Sequence, residues 1–106
     1  MKFDMNKMLQ EAQRMQAELA KAQEEAATEV VEASAGGGMV TVKANGAGDV
    51  VSITIDPRAI DPDDPELLAD MVLAAVNEAL RSARALMESK VSGLIPGDLG
   101  GLLPGS

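Results

Sequence analysis

A heptad pattern near the start of the sequence most constrains how this chain can fold. Apolar side chains recur three and four residues apart, and this spacing places them along one seam of a single helix. The seam consists of Met5, Met8, Ala12, Met15, Leu19, Ala22 and Ala26. Because a long apolar seam needs an apolar partner surface, the pattern predicts a helix that packs against a second copy of the chain.

Charged residues accompany the seam with the same seven-residue period. The acids are Asp4, Glu11, Glu18 and Glu25, and the bases are Lys7, Arg14 and Lys21. Each base follows one acid by three residues and precedes the next acid by four. Opposite charges at these spacings support an exposed helix. We therefore expect a helix from Asp4, which can cap it, to about residue 27.

The composition indicates one small domain with few large side chains for a core. The chain has 106 residues, one Phe, and no Trp, Tyr or Cys. A monomer of this size buries only about two-thirds of its unfolded surface, and a dimer would supply more burial. No apolar signal segment and no run near the ~20 apolar residues of a membrane span is present. We expect a cytoplasmic protein without a membrane partner and without disulfides.

Three short segments after the first helix are predicted to be strands of an antiparallel meander. They cover residues 28–34, 39–44 and 50–55, and glycine-rich turns at 36–38 and 45–48 separate them. Alternation predicts that Val40, Val42 and Ala44 share one face of the second strand. In the third strand it predicts that Val51, Ile53 and Ile55 point inward.

A second long helix is predicted to begin at Asp64 and Pro65 and to end near Lys90. Proline fits the first helical position, and the residue before it favours the extended geometry of an N-cap. The broad apolar face includes Leu67, Leu68, Met71, Val72, Ala75, Val76, Ala79, Leu80, Ala83 and Met87. The overall prediction is an α+β fold with the order α-β-β-β-α, in which residues 1–90 form the domain.

Residues 91–106 are predicted to form a tail outside the domain. This segment contains five glycines and two prolines, which disfavour a regular element. It also keeps the apolar residues Leu94, Ile95, Leu99, Leu102 and Leu103. A frayed terminus and a segment that docks on another surface are both compatible with this composition.

The residue types argue against catalysis. The chain has no His and no Cys, so it lacks the usual general base near neutral pH, a thiol nucleophile and the usual zinc ligands. The acids at 56–66 lack the pattern of a calcium loop and are better explained by helix capping. The three glycines at 36–38 lack the Lys-Ser or Lys-Thr of a phosphate-binding loop. We expect no enzyme activity, no cofactor, no bound metal and no small-molecule substrate.

Basic residues on the two helices give the only signal of a binding function. Lys7, Arg14 and Lys21 fall on one side of the first helix, and Arg81 and Arg84 share a face of the second. The ordinary interpretation is a salt-bridged solvent surface. The net charge of −8 also opposes nucleic-acid binding, although projecting helices need not share the average potential.

Several segments, in order along nearly the whole chain, resemble the YbaB/EbfC nucleoid-associated proteins. They are 10–16 (QEAQRMQ), 23–25 (QEE), 40–46 (VTVKANG), 53–57 (ITIDP) and 67–79 (LLADMVLAAVNEA), followed by the Gly/Pro/Leu-rich tail. The resemblance implies a tweezers-like homodimer with projecting helices. It implies binding of double-stranded DNA in the nucleoid with low sequence specificity, and a role in nucleoid organisation and gene regulation.

The resemblance also implies which residues act. Family members use basic residues of the two long helices on DNA, which here correspond to Lys7, Arg14, Lys21, Arg81, Arg84 and Lys90. For the dimer and core seam the sequence indicates Met5, Met8, Met15, Leu19, Leu68, Met71 and Val72. The alternative is a non-enzymatic protein-interaction module whose apolar helix faces recruit another protein. The salt dependence of binding distinguishes the DNA-binding protein from the interaction module, because phosphate binding weakens steeply with ionic strength and apolar docking does not.

Overall fold

The computed structural model describes residues 4–94, which form two long helices and a three-stranded sheet. In chain order the elements are helix α1 (Met5–Thr28), strands β1 (Val30–Ala35), β2 (Val40–Asn45) and β3 (Val50–Ile55), a 3-10 turn (Pro57–Ala59) and helix α2 (Pro65–Ser92). The strands are antiparallel in the order β1-β2-β3. The predicted α-β-β-β-α order and meander are confirmed. Of the apolar tail residues, only Leu94 lies among those described.

Both helices begin where local chemistry predicts. The Asp4 carboxylate accepts a hydrogen bond from the Lys7 amide at 3.1 Å, and the Asp64 carboxylate accepts one from the Leu67 amide at 3.3 Å. Each acid satisfies an amide that has no partner within the helix. Pro65 occupies the first turn of α2, as its fixed φ favours. Helix α2 ends at Ser92, two residues beyond the predicted end, and Gly93 follows it.

The core is a thin layer in which small side chains of α2 meet the central strand. Val40, Val42 and Ala44 of β2 are fully buried, as the alternation predicted. The side chains of α2 that pack on them are Ala75, Ala79 and Ala83, which are fully buried too. Because alanine carries a single methyl group, α2 approaches the sheet closely. Larger half-buried side chains surround this contact: Leu68, Met71, Val72, Val76 and Leu80.

Strand β3 departs from its predicted pattern. Ile53 pairs with Val42 and Ile55 with Val40, so both isoleucines share the face that α2 covers elsewhere. A bulge opposite Lys43 and Ala44 then places Val50, instead of the predicted Val51, across from Ala44. Because α2 packs over β1 and β2 and touches β3 little, Ile53 remains 46% exposed. The prediction that the third strand is buried on one face is therefore wrong for most of its length.

The buried part of helix α1 lies in its C-terminal half. Ala22 and Ala26 are its only buried residues among those described, and α2 is its main neighbour. The two helices run antiparallel, since Ala26 lies near the β2–β3 turn while Met15 and Leu19 lie near the C-terminal end of α2. The N-terminal half of α1 extends past that end. The radius of gyration is accordingly 20.0 Å, against about 13 Å for a compact domain of 100 residues.

The apolar residues of the helices divide into those the protomer covers and those it leaves open. On α1 the seam residues Met5 and Met8 are 73% and 55% exposed. On α2, Leu67 is exposed although the apolar pattern placed it on the buried face. None of the helices between residues 4 and 94 combines the length and apolarity that crossing a membrane requires.

Gly46 fixes the contact between α1 and the sheet and provides a test of the fold. A Cβ atom built on Gly46 would lie 2.5 Å from the carbonyl oxygen of Ala26, which accepts a hydrogen bond from the Gly46 amide at 2.8 Å. We expect Gly46→Ala to push α1 away and to lower the free energy of unfolding by about 1–3 kcal/mol, the usual cost of overpacking. Urea denaturation followed by circular dichroism measures this change.

The neighbouring residue supplies the matched control. Ala47 lies in the same turn but is exposed, so Ala47→Ser should change the unfolding free energy by no more than about 0.5 kcal/mol. Equal stability of the Gly46→Ala protein and the wild type would contradict the observed docking of α1.

Candidate nucleic-acid interface

The basic residues of α1 are arrayed along one exposed side of the helix. Lys7, Arg14 and Lys21 are seven residues apart, a spacing at which an α-helix drifts by only about 20° per step. At 1.5 Å per residue, neighbouring bases are about 10 Å apart along the axis and the outer two about 21 Å. All three side chains are exposed.

Arg14 is held between two carboxylates of its own helix. Its Nη2 donates to Glu11 Oε2 at 2.7 Å, and its Nη1 donates to Glu18 Oε1 at 2.8 Å. The hydrogen bond to Glu11 raises the pKa of Arg14 above its usual value, and the charge of Glu11 and the pairing with Glu18 add to the effect. The same hydrogen bond lowers the pKa of Glu11. Both ends of the guanidinium are therefore engaged within the chain.

Two of the three predicted bases of α2 are also paired. Arg81 Nη2 donates to Glu78 Oε2 at 2.8 Å, one turn earlier in the helix. Lys90 Nζ donates to Glu29 Oε1 at 2.6 Å, which joins α2 to the residue that follows α1. This hydrogen bond raises the pKa of Lys90. Lys90 is half-buried and helps to hold the helices together.

The remaining bases are available for an external anion. Within residues 4–94, no carboxylate lies within ion-pair distance of Lys7, Lys21 or Arg84. Arg84 is exposed beside the β2–β3 turn and lines a shallow groove with Gly46, Ala47, Gly48, Met87 and Glu88. The three unpaired bases come from both long helices, and they are separated rather than gathered into one patch.

Lys43 is a fourth unpaired base that the sequence reasoning missed. It is exposed on β2, where alternation with Val42 and Ala44 places it on the sheet face opposite α2. Glu32 of β1 lies directly across from it, beyond ion-pair distance. The alternation of β2 already predicts that Lys43 lies on the face opposite Val42 and Ala44, but the family resemblance implies DNA contacts only for bases of the two helices.

The structure separates the seven predicted seam residues into two groups. Leu68, Met71 and Val72 of α2 pack against the core of the protomer itself. Those of α1 line open surfaces: Met5 and Met8 with Leu9 near the start of the helix, and Met15 and Leu19 in an apolar groove with Val91 and Leu94. The exposed part of the seam is therefore its α1 part.

The acidic segment between β3 and α2 serves local structure. Asp56 accepts hydrogen bonds from the side chain and the backbone amide of Arg58, which lower the pKa of Asp56. Asp61 accepts a hydrogen bond from the Asp63 amide. Asp64 caps α2. Across the part of the chain that the structure describes, no three acidic residues come close enough together to hold a metal ion.

Comparison with known proteins gives a consistent result. Residues 1–99 match the family model of the YbaB/EbfC DNA-binding family. A nucleoid-associated protein of Acetivibrio thermocellus is 50% identical over 99 residues, which cover 93% of this chain and 87% of that protein. One of Streptomyces avermitilis is 48% identical over 102 residues, which cover 96% and 90%.

A solved structure has the same fold at lower identity. The crystal structure of an uncharacterized protein from Helicobacter pylori superimposes with a TM-score of 0.78 and 21% identity. The match covers 90% of this chain and 100% of that one. At this identity the likeness establishes the fold alone.

Proposed function

Because this chain belongs to the YbaB/EbfC DNA-binding family, we propose that it binds double-stranded DNA as a homodimer, through phosphates and with low sequence specificity. The observation that carries the proposal is the set of unpaired bases on the two long helices, Lys7, Lys21 and Arg84. The curated relatives are named nucleoid-associated proteins, which supports a place in the nucleoid. The proposal includes a role in nucleoid organisation and gene regulation. We expect no catalytic activity.

Low specificity follows from the kind of contact these side chains make. A lysine ammonium is a flexible point charge, and phosphates present the same charge at every sequence. Phosphate contacts fix the position of a protein on the duplex but carry no direct sequence information. The net charge of −8 opposes the approach of DNA, so the affinity should be modest and should depend strongly on salt.

The homodimer is supported by the condition of β3. This strand is an edge of the sheet, and five of its six residues are β-branched, with no charge and no proline. Soluble proteins protect such edges, because an open apolar edge pairs readily with another chain. Val50 and Ile53 lie on the sheet face that α2 covers at β1 and β2 but not at β3, and they are 39% and 46% exposed. A second copy that adds its own β3 would pair the edge and bury these side chains.

A dimer would also explain why the protomer is so extended. The N-terminal half of α1 has no buried residue in the protomer, yet it carries the exposed methionines of the seam. Two copies would double the set of unpaired bases and place them on separate helices. Phosphates on both sides of a duplex could then be contacted together.

The second candidate function, a protein-interaction module, rests on the apolar tip of α1. Met5, Met8 and Leu9 are exposed together near its start. An amphipathic helix of this kind can lie in an apolar groove of another protein. Binding of that type would change little with ionic strength.

Salt dependence tests the DNA proposal. If a dimer neutralises about four to six phosphates, the logarithm of the binding constant should fall against the logarithm of salt concentration with a slope of roughly −4 to −5. Replacement of the unpaired bases Lys7, Lys21 and Arg84 by Gln should flatten this slope and weaken binding equally on unrelated duplexes. Fluorescence anisotropy with two unrelated duplexes measures both effects.

The paired bases provide the control of equal charge. Replacement of Arg14, Arg81 and Lys90 by Gln removes the same three charges, but these side chains already hold carboxylates. We expect a smaller loss of affinity from this variant. An equal loss of affinity would show that ion pairing within the chain does not determine which bases contact DNA. Failure of the wild-type protein to bind DNA at low salt would favour the interaction module.

The dimer has its own test in β3. Val50→Thr together with Ile53→Thr keeps strand propensity but removes apolar area from the uncovered face, so we expect the dimer to dissociate at least about tenfold more readily. Light scattering over a dilution series measures the dissociation. Ser52→Thr alters the opposite face of the same strand and should leave the dimer unchanged. A wild-type protein that is monomeric at micromolar concentration would refute the proposal.

A further inference from the structure

We propose that Glu11 and Glu18 compete with DNA phosphate for Arg14 and thereby set the affinity of α1 for the duplex. This inference rests on the proposed DNA binding and concerns the same surface. It assigns a role to two negatively charged residues, which DNA itself would repel. By pairing with Arg14, they make this one base less available to phosphate, while the other bases of α1 stay accessible.

The geometry of the pairing carries the inference. A guanidinium binds phosphate best when its two outer nitrogens donate side by side to two oxygens of one anion. In Arg14 these nitrogens donate to two different carboxylates, 2.7 Å away on the Glu11 side and 2.8 Å away on the Glu18 side. A phosphate that approaches Arg14 in this way must displace at least one of them.

The charge sequence along α1 strengthens the competition. On one side of α1 the charges alternate in the order Lys7, Glu11, Arg14, Glu18 and Lys21. A phosphate near the middle of the helix therefore meets a carboxylate on each side of its base. Lys7 and Lys21, by contrast, have no carboxylate within ion-pair distance among the described residues.

Because the ion pairs of Arg14 are solvent-accessible, they are weak enough for a DNA phosphate to displace the carboxylates. Arg14 and Glu11 are exposed, with 57% and 60% of their side chains accessible to solvent, and Glu18 keeps 39% of its side chain accessible. Ion pairs at such sites are weak, because water and salt screen them and long side chains lose freedom when they pair. Phosphate can thus replace the carboxylates, but the free energy of the broken ion pairs is subtracted from the free energy of DNA binding.

The test removes the two competitors and compares the result with an equal change of charge elsewhere. Glu11→Gln with Glu18→Gln frees Arg14 and preserves helix propensity. Glu24→Gln with Glu66→Gln changes the net charge by the same amount, at two exposed acids that have no ion-pair partner among the described residues. Anisotropy titrations with a duplex are made at several salt concentrations, and circular dichroism verifies that each variant keeps its helices.

We expect the Glu11 and Glu18 variant to bind the duplex about tenfold more tightly than the control variant at low salt, with a slope more negative by about 1 per protomer. A double-mutant cycle attributes this gain to Arg14. With Arg14→Gln present, the gain should shrink to that of the control.

Two results would overturn the inference while leaving DNA binding intact: a gain no larger than that of the control, or a gain that persists in the Arg14→Gln background. Absence of duplex binding by the wild type and by every variant at low salt would be a different outcome. That result would refute the proposed function and the competition together.

Discussion

The contact between three alanines of α2 and the central strand determines the shape of this protomer. Ala75, Ala79 and Ala83 lie against Val40 and its neighbours on β2 with no exposed surface. Their small size brings the helix close to the sheet, but small side chains also reach fewer strands on either side of the helix. Helix α2 covers β1 and β2 and leaves β3 open. The uncovered strand follows from this narrow contact, and it is the surface on which the proposed second copy would pack.

The same architecture presents the charges that DNA would meet. Because the buried residues of α1 lie in its C-terminal half, its charged side is accessible along most of its length. The bases on this side do not act alike, since Arg14 is engaged by neighbouring acids while Lys7 and Lys21 are not. Under the proposed function, a protein with a net charge of −8 would bind DNA through a few unpaired bases, and its own carboxylates would limit the affinity.

Local rules predicted the elements of the fold, whereas features that depend on tertiary contacts could not be read from the sequence. Asp4, Asp64 and Pro65 mark helix starts through bonds within one turn, and both starts were predicted correctly. The prediction that Val51 points inward is wrong, because the bulge that shifts it depends on how β3 pairs with β2. The exposure of Ile53 depends on where α2 lies, which alternation within one strand cannot specify.

For the candidate site, the sequence identified the bases on the helices but not which of them form ion pairs within the chain. The spacing of Arg14 from Glu11 and Glu18 allowed an ion pair with either acid, and the structure has both. The pair of Lys90 with Glu29 joins residues 61 positions apart, so no local pattern could indicate it. Lys43 lies on strand β2, whereas the family resemblance implies DNA contacts only for bases of the helices.

We propose that a second copy of the chain covers the open edge of β3, and hydrogen exchange measures this coverage most directly. The outward-facing backbone amides of β3 have no partner strand in the protomer. Paired with another chain, they should exchange slowly at high protein concentration and faster on dilution below the dissociation constant of the dimer. Fast exchange of these amides at every concentration, at the rate of an open edge, would contradict the account.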